Sequence, residues 1–296
     1  MSVALIAVVL VLLAGHLAPA LAGMRHFNWL VAWRQYIVAT GAPEGAMAGR
    51  FGLFLIAGLP VLLIGLLQLG LRNVWWGVPA FVLATLLLFW CWGPRDLDLD
   101  VDAVVDAPDA DARREATADL LHGPPPETMD GHAWVEAVFA GALRRWFGPL
   151  FWFLLLGAGG VLAYRIVAEL GAETAHADAP AAQRDDARGL LSIMDWPVAQ
   201  LMTLALALAA NFDAVFRAWR QWHAEGIRLD TGFLATAARA SVDIEVERHD
   251  TDLPEADALA STPALLELRD AMSLVWRMLL LWLAVVAIFV LARLIG

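Results

Sequence analysis

The chain of 296 residues is 60% hydrophobic and only 17% charged, with a mean hydropathy of +0.64, which excludes an ordinary water-soluble globule and points to a bilayer protein. Its 20 basic residues are all arginine, and against 31 acidic ones they leave a net charge of −11, so the chain has no general affinity for nucleic acid. The single cysteine, Cys91, lies in an apolar run and can form no intramolecular disulfide, which excludes a disulfide scaffold.

Crossing about 30 Å of hydrocarbon takes roughly 20 apolar residues. Ser2 to Met24 carries only His16 as a polar landmark, Phe51 to Leu71 has no charge, and Asn73 to Pro94 is equally clean and rich in tryptophan. Residues 1 to 24 read as a retained first helix and not as a signal peptide, because no basic residue precedes the apolar core and no good cleavage signature follows it. A fourth span is expected from Trp146 to Tyr164 and a fifth from Ala271 to Gly296, where Arg277 and Arg293 lie near the ends and can snorkel. Trp196 to Phe212 is a shorter sixth candidate, with Asp195 as its N-cap and Pro197 in its first turn. That helix is expected to continue to about His223 as an amphipathic rod, with Val215, Phe216, Trp219 and Trp222 on one side and Asp213, Arg217 and Arg220 on another.

The two long connections, residues 95–145 and 213–270, read as helix-forming polar loops that pack on the membrane helices. The first opens on the alternation Arg95-Asp96-Leu97-Asp98-Leu99-Asp100-Val101-Asp102, which predicts an extended segment with one acidic face. It is no calcium loop, since the sixth position lacks Gly and the twelfth lacks Glu in either register. A helix is predicted from Asp109 to His122, stopped by Gly123 and three prolines, and another from about Asp130 to Trp146. His132 and Glu136 share a face of the latter, and with no further ligand nearby they read as a surface pair. Residues 171–188 and 242–262 read as mobile connections. The fold class predicted is therefore all-α: a single integral membrane domain over residues 1–296, with five to six transmembrane helices. With six spans and the N-terminus outside, most of the arginines fall on the cytoplasmic side.

The chemistry that needs lysine is excluded by composition, including Schiff bases and the phosphate-cradling loop with its Lys. There is no Gly-x-Ser-x-Gly elbow, zinc-protease motif or paired-cysteine site, so no catalytic residue, metal or cofactor is assigned. Gly157, Gly159 and Gly160 sit in an apolar segment and read as close helix packing, Gly159 and Ala163 having small-xxx-small spacing. Arg165 and Glu169, one turn apart at the end of a span, read either as an interfacial ion pair or as part of a pocket for an anionic ligand, with Arg165 as the anion contact. Arg217 and Arg220 join them as candidate ligand-binding residues, able to clamp an anion bidentately. Trp75, Trp76, Trp90, Trp92, Trp146 and Trp152 fall near segment ends, as interfacial anchoring predicts.

Ala112-Arg113 followed by His122-Gly123, Phe147-Gly148-Pro149-Leu150-Phe151-Trp152 leading to Gly157 and Tyr164-Arg165, then Asp195-Trp196-Pro197, Ala218-Trp219-Arg220 and Leu268-Arg269-Asp270-Ala271 are spread over most of the chain. Together these elements resemble the AmpE family of inner-membrane proteins linked to β-lactamase regulation. The family-motif positions are thus Arg113, His122, Pro149, Phe151, Trp152, Tyr164, Asp195, Trp196 and Pro197. AmpE is itself similar to the CobD/CbiB membrane enzymes of cobalamin synthesis, which attach the aminopropanol arm to a corrin acid. Their Glu-Asn and Asn-Ala-Gly-Trp-Pro-Glu elements have no counterpart here at His132 to Arg145 and Gly226 to Ala240. The resemblance implies a non-enzymatic accessory or signalling role at the bacterial inner membrane, in the β-lactam response and peptidoglycan recycling, exercised through a protein partner or bound ligand. The alternative it implies is a membrane enzyme of the CobD/CbiB type acting on an anionic or phosphorylated substrate.

Overall fold

The computed structural model describes residues 2–17, 25, 27–39, 50–93, 96–121, 123, 130–172, 181–226, 228–252 and 263–295. His122, Pro124 to Pro126, residues 173–180 of the first expected mobile connection and 253–262 of the second lie outside them. Among the described residues there is no strand. The α-helices are α1 (Ser2–Leu17), α2 (Asn28–Ala39), α3 (Arg50–Leu71), α4 (Val78–Cys91), α5 (Leu97–Val105), α6 (Ala110–Leu121) and α7 (Gly131–Ala142). A π-turn at Leu143–Phe147 leads into α8 (Gly148–Gly171), followed by α9 (Ala181–Ala209), α10 (Phe212–Trp222), α11 (Gly232–Asp252) and α12 (Pro263–Ile295).

Four helical stretches are long and apolar enough to cross a bilayer: Gly52–Leu71, Gly131–Gly171, Ala181–Ala209 and Ala264–Ala292. Two expected spans form shorter helices. α1 has 16 residues and α4 has 14, or about 24 and 21 Å at 1.5 Å per residue, less than the hydrocarbon thickness.

The chain divides into two compact units. The first comprises Met1–Arg95 and Gly148–Met194. Here α8 packs on α3 and α4, and α1 packs on α4. α8 is not one rod. At Gly157 the backbone takes φ 73° and ψ −151°, a region open only to glycine, and a Cβ there would lie 3.1 Å from the Gln68 side chain. A straight helix would hold Gly148 and Tyr164 about 24 Å apart, yet a Cβ on Gly148 would run into the Tyr164 ring. The helix therefore folds back at Gly157 into a hairpin, with arms 148–156 and 158–171. The expected span from Trp146 to Tyr164 thus contains a reversal. Gly159 does face Val61 of α3, as the close-packing reading requires.

The second unit comprises Asp96–Phe147 and Asp195–Gly296. Its core gathers α7, α11 and α12, with Val135, Val138, Phe139, Ala238, Leu274 and Val275 fully buried. Residues 97–105 are helical, not extended. The alternating pattern also places Leu97, Asp100, Val101 and Val104 at i, i+3, i+4 and i+7, and it is this face that is buried, while Leu99 is left exposed. Burial against α6 and α12 decides between the two periods. α6 and α7 match their predicted ranges, and Asp130 caps α7 by accepting from the Ala133 N–H at 2.9 Å.

α9 corrects the reading of Asp195 and Pro197. The helix begins at Ala181, so Asp195 is a buried mid-helix residue paired with Arg144 Nε at 3.7 Å, and Pro197 lies inside the helix. The expected continuous rod to His223 is also interrupted. α9 ends at Ala209, and Asn211 caps the start of α10, its Oδ1 accepting from the Ala214 N–H at 3.1 Å.

Candidate functional site

The returning arm of the α8 hairpin carries the residues that stand out chemically. Tyr164 is fully buried and packs with Val167 and Leu191 against Trp152 of the other arm. Arg165 is 6% exposed, and its Nη2 lies 2.5 Å from Glu169 Oε1, so the ion pair expected at this spacing forms. Its guanidinium sits 5.6 Å from the centroid of Phe27, which stacks on Trp90 at 4.6 Å. Trp29 completes this aromatic cluster, 6.1 Å from Trp90. Arg25 lies 4.3 Å over the ring of Phe89, next in the chain to Trp90. Cation–π contact with aromatic faces helps to hold guanidinium groups away from bulk water.

A third guanidinium is buried on α2. Leu30, Arg34 and Ile37 form one inward face at i, i+4 and i+7, and Phe27 just before the helix is buried with them, all at most 7% exposed. Arg25 and Arg34 were not legible as site residues from local motifs. A signal did exist, because the first 95 residues hold five arginines against one acidic residue in a chain whose net charge is −11.

Arg217 and Arg220 belong to the second unit, on α10. Both are exposed, and Arg217 Nε donates to the Asp213 carbonyl at 3.2 Å. α10 buries Ala214, Val215 and Ala218, whereas Phe212 and Phe216 are exposed with their rings stacked 5.8 Å apart. Trp219 donates through Nε1 to Gln200 Oε1 at 2.8 Å.

The remaining candidates make the following contacts. His132 and Glu136 do not act as a pair with each other. Each meets α11, His132 Nε2 lying 3.0 Å from Asp243 and Glu136 3.1 Å from Arg239. No group of three His, Cys, Asp or Glu among the described residues can hold a metal ion. Arg113 donates to the carbonyls of Val104 at 3.4 Å and Ala107 at 3.2 Å, satisfying acceptors at the end of α5. Pro149 is buried at the start of α8, Phe151 meets Trp152 edge-on at 5.3 Å, and Trp152 Nε1 donates to the Met194 carbonyl at 3.3 Å. Trp196 and Pro197 are half-buried in α9.

The tryptophans divide into two sets. Trp75 and Trp76 are 83% and 103% exposed on the turn before α4, as lipid-facing anchors should be. Trp92 and Trp146 are buried, Trp146 packing edge-on against Trp276 at 5.1 Å, which corrects the anchoring reading for these two.

Apolar helices of spanning length define a helical membrane protein, and its first unit holds arginines buried on aromatic faces. A family model described as "Regulatory signalling modulator protein AmpE" matches residues 29–265. The chain belongs to the AmpE family. No curated protein and no solved structure matches it.

Proposed function

We propose that this protein is a non-enzymatic regulator of the bacterial inner membrane that modulates the β-lactam response, and with it β-lactamase expression and antibiotic resistance, in step with peptidoglycan recycling. The observation that carries the reading is the family match over residues 29–265, whose description is that of a signalling modulator. The regulator acts through a protein partner or a bound ligand, with Arg165, Glu169, Arg217 and Arg220 as the contact residues. A ligand shifts such a protein only if it binds two states with different affinity. The Arg165–Glu169 pair, with Arg165 buried and Glu169 half-buried, is the candidate for such an element, since an anion that competes with Glu169 would take over compensation of the buried guanidinium.

The test is deletion of the gene in a strain with an inducible β-lactamase, followed by β-lactamase activity over a graded β-lactam challenge. The dose at which induction sets in should move and should return on complementation with the intact chain. Superimposable induction curves with and without the gene would remove the signalling role.

A further inference from the structure

We propose that the first unit binds an oxyanion of the phosphate class between Arg165, Trp29 and Arg34, with Glu169 as the internal carboxylate that the anion competes against. The inference rests on the ligand-responsive reading above and names the chemistry of that ligand.

Buried side-chain donors are rarely left without acceptors, because each one costs roughly 1–3 kcal/mol. Arg165 Nε, Arg34 Nη1 and Trp29 Nε1 are all buried and meet no hydrogen-bond acceptor. Arg165 and Arg34 are 6% and 7% exposed. Glu169 takes one edge of the Arg165 fork and leaves Nε free. Both guanidiniums and the indole can donate, none can accept, and the species they lack is therefore rich in acceptor oxygens.

Position supports one site. Arg165 lies over Phe27, the residue just before α2, Arg34 is buried on α2 itself, and Trp29 in the first turn of α2 adjoins the same aromatic cluster. Phe27 and Arg34 are about 10 Å apart along the helix, a gap that long guanidinium side chains can close around a four-oxygen anion. Charge agrees. The first unit holds eight arginines against six acidic residues, a net +2, whereas the second holds 12 against 25, a net −13. Arginine forks match phosphate oxygens bidentately, and ionisable residues at membrane depth mark either pairs or ligand pathways.

The full chain in dodecyl maltoside micelles is titrated with phosphatidylglycerol, phosphatidylcholine and inorganic phosphate, and retained masses are read by native mass spectrometry. Melting temperature is followed in parallel. Trp29→Phe keeps the ring and removes the orphan N–H, so it should melt no lower than wild type while weakening the anion about tenfold. Glu169→Gln should tighten it. Retention of phosphatidylglycerol alone identifies a lipid headgroup, and retention of inorganic phosphate as well identifies a free anion. Absence of any adduct overturns the proposal, as does binding of both lipids to equal extent with no change in either variant. Because the readout is binding by purified protein, a strain without an induction phenotype but with an intact site removes the signalling role and leaves the site standing, and the converse removes the site alone.

Discussion

Replacing Asp100 by leucine should be the most damaging single change in the second unit. Asp100 and Arg145 are 0% and 4% exposed at the side chain, with Nη1 of Arg145 2.5 Å from Oδ2 of Asp100 and Nη2 donating to the Leu120 carbonyl at 3.0 Å. Leucine matches the volume but removes the carboxylate facing a buried guanidinium, and breaking a buried ion pair by removing one partner costs about 3–5 kcal/mol. For a unit of this size that corresponds to a fall of about 6–20 °C in melting temperature. The double change Asp100→Leu with Arg145→Met removes both charges and should recover more than half of the loss, because apolar replacement of a buried pair is often neutral. Thermal unfolding in detergent, followed by tryptophan fluorescence, reads both, with the Trp146–Trp276 contact as a reporter inside the same unit. A single variant within about 1 kcal/mol of wild type, or a double variant as damaged as the sum of its parts, would refute the reasoning.

Gly157→Ala should lower the melting temperature and the yield of folded protein, since the reversal needs φ 73° beside Gln68 and a side chain there costs about 1–3 kcal/mol. Asn211→Ala should cost about 1 kcal/mol through loss of the α10 cap, and Asn211→Gly only a few tenths, as unfolding midpoints will show. Asp243→Asn should change stability by less than about 1 kcal/mol, because its partner His132 and Asp243 itself are half exposed; a larger loss in the same assay would mean that the pair is shielded from water.

Membrane character was legible because hydropathy adds along a segment whatever the packing, and Phe51 to Leu71 needed no tertiary information. The ion pair of Arg165 with Glu169 was legible because i,i+4 spacing on a helix fixes proximity by itself. Where two local patterns coincide, sequence cannot choose between them. The acidic repeat from Asp96 satisfies both period 2 and a helical face, and the partner Arg145, 45 residues on, settles the matter. Asp195-Trp196-Pro197 has the composition of a helix start, yet its surroundings carry the helix through. Close packing at Gly159 follows from its spacing to Ala163, but nothing local distinguishes Gly157 as the glycine that adopts positive φ. The inward face of α2 was missed because an arginine at i+4 breaks the apolar pattern that would have announced it.

The cations of this protein have a chemical consequence beyond geometry. A buried lysine can shed its proton and become neutral, whereas arginine stays ionised throughout the physiological range. Arg34 and Arg165 therefore act as fixed charges, in the manner of the bound groups of an anion-exchange resin. What such a material exchanges is its counterion. On the anion-binding reading proposed above, a change of state in the first unit would follow from which anion stands beside the guanidiniums.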